Sequence, residues 1–217
     1  MALKNIKKEP SLADRAYVAI KASIISNELA PGAVLAEETL ADQLGISRTP
    51  IRAALQRLLF EEIVVQRSKN LVVSDVTQHD VRDVSIVRVQ LEPLSARLIG
   101  QNGGLTQKQL ERLHACNDKQ VAAAEAGGAE AFLEQDYLFH IMLAQLSGNS
   151  FLVDLVERSN LIFKRFHTLS GTLMQNSVAA SAEHHIILDA LSEQDFGRAE
   201  LAIRHHLENV NTRFFGA

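Results

Sequence analysis

The stretch Leu40-Ala41-Asp42-Gln43-Leu44-Gly45-Ile46-Ser47-Arg48-Thr49-Pro50-Ile51-Arg52-Ala53-Ala54-Leu55-Gln56-Arg57-Leu58 decides the reading of the amino-terminal third of the chain. A short helix is expected from Glu37 to Leu44. Gly45 follows it, and its tolerance of positive φ suits a sharp turn. Ser47 is placed to cap the next helix. Pro50 falls in that helix's first turn, where a missing N–H costs little. Ile51, Leu55, Leu58 and Leu59 then recur at three- and four-residue spacing as a buried stripe. Arg48, Thr49, Arg52 and Gln56 lie on the opposite face.

Working outward, Ser11 can cap an earlier helix whose apolar positions Leu12, Ala16, Ile20 and Ile24 stop before Pro31-Gly32. Downstream, Ile63-Val64-Val65 and Leu71-Val72-Val73 flank the polar run Gln66 to Asn70, which reads as a hairpin. Helix, helix-turn-helix and hairpin make a winged helix-turn-helix over residues 1–75, with its second paired helix entering the major groove of double-stranded DNA. Arg48 and Arg52, one turn apart, can reach phosphates or pair bidentately with guanine edges, Thr49 can bond a phosphate, and Gln56 shares their face. Arg67 and Lys69 on the hairpin reach the adjoining groove or backbone. A solvated helix beside an ordinary surface hairpin is the plainer alternative; the order of elements, not two arginines alone, favours DNA.

Bulk composition sets the frame. With 47% hydrophobic residues, 217 residues suffice for two modest cores. The net charge of -4 conceals an uneven split, because residues 1–74 hold 10 Lys and Arg against 8 Asp and Glu, and the remainder holds 12 against 18. The amino-terminal part is therefore the better polyanion binder. Lys4, Lys7 and Lys8 precede no apolar run, and nowhere do eighteen apolar residues follow one another, so a cytoplasmic protein with no membrane segment is expected. Cys116 is the only cysteine, so any metal must be held by His and carboxylate.

From Val76 to residue 217 the pattern is helical. Val84, Val87, Leu91, Leu94 and Leu98 mark a first helix, and five more are expected at roughly 106–126, 129–147, 150–175, 180–192 and 195–214. A mainly α protein with a carboxy-terminal six-helix bundle results. Asp136 and His140, four apart, project from one helix face. His184 shares a face with Leu188 and Leu191, and His206 lies in the stripe Phe196, Ala199, Ile203, His206, Val210, Phe214. One carboxylate and three imidazoles from three helices can therefore meet at a divalent transition metal: zinc, nickel, manganese or iron. Core histidines satisfied by polar neighbours are the alternative, but four such groups buried without partners would each forfeit about 1–3 kcal/mol. His185 and His205 are displaced by about 100° on their helices and read as outer-face or supporting residues; His79 and His114 receive no role.

The Leu40–Leu58 motif closely resembles the recognition motif of the GntR family. That resemblance implies a homodimer on a short pseudo-palindromic operator, with Ser47, Arg48, Thr49 and Arg52 at DNA-contacting positions. Three residues depart from it: Glu38 stands where many relatives carry Arg, and Glu62 and Asn70 stand where they often carry Gly around the wing. Residues 76–217 resemble the FCD-type ligand-binding domain of the FadR branch, through Arg88 to Glu92 with Arg97, Asp136 through His140, Ser147-Gly148-Asn149, Glu183-His184 and His206-Leu207. Six expected helices look more like its VanR-like subgroup than the seven-helix one. By position the resemblance implies that Asp136, His140, His184 and His206 are metal ligands and that Arg88 grips the carboxylate of a small organic acid; Asn160 and Arg165 are further pocket candidates. The expected function is a ligand-responsive transcriptional regulator, in the repressor sense, rather than an enzyme. A metal-dependent hydrolase or isomerase is the alternative.

Overall fold

In the computed structural model, residues 9–171 and 176–216 are described; Lys4, Lys7 and Lys8 lie outside them. The chain divides into two compact units, one through Asp75 and one from Val76.

The first unit contains α1 (Leu12–Ile25), α2 (Glu37–Leu44), α3 (Arg48–Phe60), β1 (Val64–Arg67) and β2 (Asn70–Val73). Ser11 and Asp14 form a reciprocal capping box that starts α1. The helix buries Ala16, Ile20 and Ile24 beside the inner face of α3, where Ile51, Ala54, Leu55 and Leu58 are wholly enclosed. Gly45 takes φ +64° after α2, the turn its lack of Cβ permits. Ser47 occupies the cap position of α3 in extended conformation, but its side chain makes no cap hydrogen bond, contrary to the capping role expected of it.

β1 and β2 pair antiparallel, with Arg67 opposite Asn70 and Ser68-Lys69 between them. The ladder reaches further toward the tip than the apolar runs suggest, because backbone pairing is indifferent to polar side chains on a solvated edge. A feature not apparent from periodicity is the Val34 to Val72 bridge, supported by Leu35 N–H donating to Leu71 O at 2.8 Å. The segment after Pro31-Gly32 thus braces the wing from its other side.

The second unit holds, among the described residues, seven helices: α4 (Gln78–Leu91), α5 (Pro93–Gln101), α6 (Gln107–Glu125), α7 (Ala129–Leu146), α8 (Ser150–Ser170), α9 (Ser177–Ser192) and α10 (Phe196–Phe215). The first expected helix is divided at Pro93, which has no N–H to continue the ladder. The count behind the likeness to the shorter subgroup therefore becomes seven segments. α8 stops at Ser170, with Gly171 at φ +65°; the expected extension to 175 falls on residues 172–175, outside those described.

On α4 the buried face is Val81, Ser85, Arg88 and Val89, while Val87 is exposed, so the helix is turned relative to the apolar stripe expected for it. The turn brings Arg88 inward. A core of Phe139, Leu143, Ile187, Leu188, Leu191, Ile203 and Leu207 joins α7, α9 and α10 and fixes the helix faces that carry the histidines. Among the described residues, no helix is long and apolar enough to cross a membrane.

Candidate metal centre and nucleic-acid interface

Ser47, Arg48, Thr49, Arg52 and Gln56 are all exposed along one side of α3, opposite its enclosed stripe. Arg52 donates from Nε to Glu37 Oε1 at 2.8 Å and from Nη2 to Oε2 at 2.7 Å, and Arg48 Nη2 lies 3.4 Å from the same Oε2. The start of α2 therefore sets the arginines of α3. Their hydrogen bonds hold the Glu37 carboxyl below its usual range, so it stays charged at neutral pH. On the wing, Lys69 is exposed and Arg67 pairs with Asp75. Of the departing positions, Glu38 is exposed, Asn70 opens β2, and Glu62 stands at φ +59°.

In the second unit, His140 on α7, His184 on α9 and His206 on α10 each offer a ring nitrogen such that the three atoms lie within 4.8 Å of one another. All three rings are essentially excluded from solvent. Their outward nitrogens face oxygens. His184 Nδ1 lies 2.7 Å from Gln120 Oε1, and His206 Nδ1 lies 2.8 Å from Glu183 Oε2. His140 Nδ1 is 2.6 Å from Glu92 Oε2, but too far off the ring N–H direction to form a proper hydrogen bond.

These partners fix the tautomers. Gln120 donates its amide N–H to Asp136 Oδ1 at 2.9 Å, so the oxygen of Gln120 faces His184 and must accept from it. The Glu183 carboxylate likewise accepts from His206. In the neutral rings, Nε2 of His184 and Nε2 of His206 are then bare lone pairs, yet they stand 3.1 Å apart. Nε2 of His140 is buried with no hydrogen-bond partner. A proton could relieve the facing pair, but burial pushes the affinity of both His184 and His206 for protons down. A cation shared by the three nitrogens relieves all of them, and three imidazoles oriented by outer oxygens are a donor set that suits a divalent transition metal.

Asp136 is buried one turn before His140, with Oδ1 3.9 Å from His184 Nε2. It flanks the trio, although the three histidines alone make up the close-set group among the described residues. Arg88, 2% exposed, donates from Nε to Glu92 Oε1 at 2.5 Å, and its guanidinium lies over the Phe163 ring. Asn160 donates to the same oxygen of Glu92 at 2.9 Å. Burial would raise the Glu92 carboxyl, but the neighbouring Arg88 and His140 together outweigh it and hold the group well below the carboxylate range. Arg165 is also buried. His185 and His205 are exposed on the outer faces of their helices.

Three residues escaped the sequence reading as parts of this centre: Glu92, Gln120 and Glu183. Glu92 stands four residues after Arg88, a helical ion-pair spacing that was available as a signal. Glu183, beside His184 in sequence, reaches His206 across the helix pair, which no local pattern encodes. Gln120 on α6 carries no periodic signature distinct from a core position.

The family model "FCD domain" matches residues 83–209, and "Bacterial regulatory proteins, gntR family" matches residues 12–70. An HTH-type transcriptional regulator from an unstable DNA locus of Streptomyces ambofaciens is 30% identical over 198 residues, covering 89% of this chain and 81% of that protein. The HTH-type transcriptional repressor RspR of Escherichia coli K12 is 24% identical over 196 residues, covering 90% and 85%. The solved structure of E. coli McbR/YncC superposes with a TM-score of 0.80 at 24% identity, over 94% of this chain and 97% of that one, a likeness of fold.

Proposed function

The chain belongs to the GntR family of bacterial transcriptional regulators, with an FCD domain, and on that premise we propose that it is an operator-binding repressor controlled by a small carboxylic acid bound beside a divalent metal in the α4–α10 unit. The observation that carries the sensing half is the pair of facing Nε2 atoms of His184 and His206, 3.1 Å apart, with His140 Nε2 unpartnered beside them. His140, His184 and His206 would hold the ion, with Asp136 as a fourth ligand. Zinc, nickel, manganese and iron all accept this donor set. When bound, the metal supplies a Lewis-acidic position for an effector carboxylate. Gln120, Glu92 and Glu183 orient the rings, and Arg88 offers a second positive group to the acid.

Ser47, Arg48, Thr49, Arg52 and Gln56 would meet DNA along α3, and Arg67 and Lys69 would meet it from the wing. A homodimer on a pseudo-palindromic operator in the cytoplasm follows from the family, and the naming of RspR as a repressor supports the repressor sense. Effector binding must then favour an arrangement whose two recognition helices no longer fit successive major grooves.

Selection of bound duplexes from a random pool, followed by anisotropy titration at physiological salt with and without a carboxylic acid panel, tests this. Sequence-selective binding that an acid weakens is the expected result. Binding without sequence preference, or preference indifferent to every acid in protein of verified metal content, rejects it.

A further inference from the structure

Glu183, whose Oε2 faces His206 Nδ1 at 2.8 Å, is itself held from the far side by α10. Arg213 donates from Nη1 to Oε1 at 2.7 Å and from Nη2 to Oε2 at 2.9 Å, a bidentate fork. Asn209 donates from Nδ2 to Oε1 at 2.9 Å. Both residues follow His206 on the same helix at spacings that share a face, so α10 grips from its later turns the carboxylate that α9 presents to its own ring. No sequence expectation falls on either of them.

A glutamate left to itself samples several rotamers and would meet the ring only part of the time. Either nitrogen of the neutral imidazole could then carry the proton, and a proton on Nε2 would leave no lone pair for an ion. With Oε2 fixed at Nδ1 the proton is fixed there too, and His206 Nε2 stands bare, 3.1 Å from His184 Nε2. The arginine is well anchored for this. Phe214, next to it, packs edge-on against the buried His167 of α8 at 4.4 Å between centroids, and the Arg82 guanidinium of α4 lies 5.2 Å over the Phe215 ring. Arg213 therefore projects from a helix end tied to two other helices. The pair, with side chains 22% and 17% exposed, is neither fully solvated nor fully enclosed, so its weight lies in geometry more than in stability.

We propose that Arg213 is a positioning residue of the histidine centre: through Glu183 it fixes His206 as the Nδ1–H tautomer and keeps Nε2 free for the ion, with Asn209 assisting. This deepens the metal reading given above and rests on it for the ion; the tautomer stands without it.

Two readouts on the full chain test it. Zinc affinity is measured by competition with a chelating dye, and the tautomer by the ring nitrogen signals of isotope-labelled histidine in metal-free protein, assigned to His206 by their loss in His206→Gln. Arg213→Met should weaken zinc binding about tenfold and turn a single Nδ1–H tautomer into a mixture. Arg213→Lys, which keeps the charge without the fork, should fall between Arg213→Met and wild type in both readouts. On a Glu183→Gln background, Arg213→Met should change zinc affinity by less than about twofold, because the arginine acts through that carboxylate. A merely structural role would lower the melting temperature of metal-free protein and leave the tautomer single. Asn209→Ala, a milder cut at the same carboxylate with effects of the same sign, serves if Arg213→Met fails to fold. A tautomer that stays single in Arg213→Met, zinc affinity unaltered there, or losses that multiply in the double variant would each overturn the role of Arg213. A wild type that takes up neither zinc nor any other divalent transition metal would instead overturn the metal reading, and the tautomer would then decide the role of Arg213 alone.

Discussion

Arg52 gives Nε and Nη2 to the two oxygens of Glu37, at 2.8 and 2.7 Å, so a carboxylate at the start of α2 holds the fork of an arginine on the neighbouring helix. Such a pair, at the surface, adds little to stability. Its effect is positional, because a long side chain that would otherwise sample many rotamers is aimed along α3, and the same fork geometry suits the O6 and N7 edge of guanine.

On the DNA-reading assignment, Arg52→Ala should weaken selected-operator binding by about 10- to 100-fold, with an unchanged melting temperature, since the side chain is exposed. Glu37→Gln should act differently. It removes a negative charge facing the phosphates and frees both arginines, so affinity for random duplex should rise and the ratio of operator to random binding should fall. Anisotropy titrations between 50 and 200 mM salt, that window taken from the general behaviour of phosphate-contacting proteins, check both. Operator affinity unaltered by Arg52→Ala would remove this residue from the interface.

At the histidine centre, His184→Ala and His206→Ala should each lower the metal content of purified protein and its melting temperature, because an ion bound only by the folded state adds its binding energy to folding. Substituting the supporting oxygens is the subtler test. Gln120→Ala or Glu183→Gln should leave the donor trio in place yet cost about 10- to 100-fold in metal affinity, measured by competition with a chelating dye. Metal contents equal to wild type in both histidine variants would mean that the rings are ordinary core residues.

Legibility in the sequence followed the range of the interactions. The winged head was readable because its signals are local: the αL turn at Gly45, the stripe Ile51-Leu55-Leu58, and two β-branched runs. The three histidines were readable because each lies on the same face as apolar neighbours that must turn inward. Their supporting oxygens were not, since Glu183 reaches His206 and Gln120 reaches His184 across different helices. The rotation of α4 was hidden for a related reason. Apolar count favoured the Val84 and Val87 side, whereas the buried Arg88–Glu92 pair and its bond from Asn160 draw a polar position inward. The break at Pro93 was legible in principle, but five well-spaced apolar residues running across it masked the missing N–H.

Acid should destabilise the protein through His167. Its folded pKa is lowered from 6.5 to about 3, mainly by burial. The folded state therefore binds fewer protons than the unfolded chain between those values, and stability that is fully present above pH 6.5 is lost as pH falls toward 3. The slope from one such group is about 1.4 kcal/mol per pH unit at most. Because His184 and His206 shift in the same direction, the informative quantity is a difference. Urea unfolding at pH 7 and pH 5 should show a smaller acid loss for His167→Phe than for wild type, by about 2 kcal/mol at most. Equal losses would mean that the ring is solvated or partnered in solution.

Glu62 presents the last test, because α2 and α3 end in the same way with different residues. After α2, Ile46 N–H bonds Ala41 O and Gly45 N–H bonds Asp42 O; after α3, Ile63 N–H bonds Leu58 O and Glu62 N–H bonds Leu59 O. Both pairs are Schellman closures, whose penultimate residue takes left-handed backbone. Gly45 does so at φ +64° without penalty, while Glu62 does so at φ +59° with a Cβ. That conformation costs a residue other than glycine about 1–2 kcal/mol, and the extra freedom of glycine in the unfolded chain returns roughly 0.5–1 of it. Glu62→Gly should therefore stabilise the head by up to about 1 kcal/mol, raising its melting temperature by a few degrees, roughly 4 to 8 °C if the head unfolds as a unit of its own. Circular dichroism melts of the full chain measure it. A lower melting temperature in the glycine variant would show that contacts of the Glu62 side chain outweigh the backbone strain at this closure.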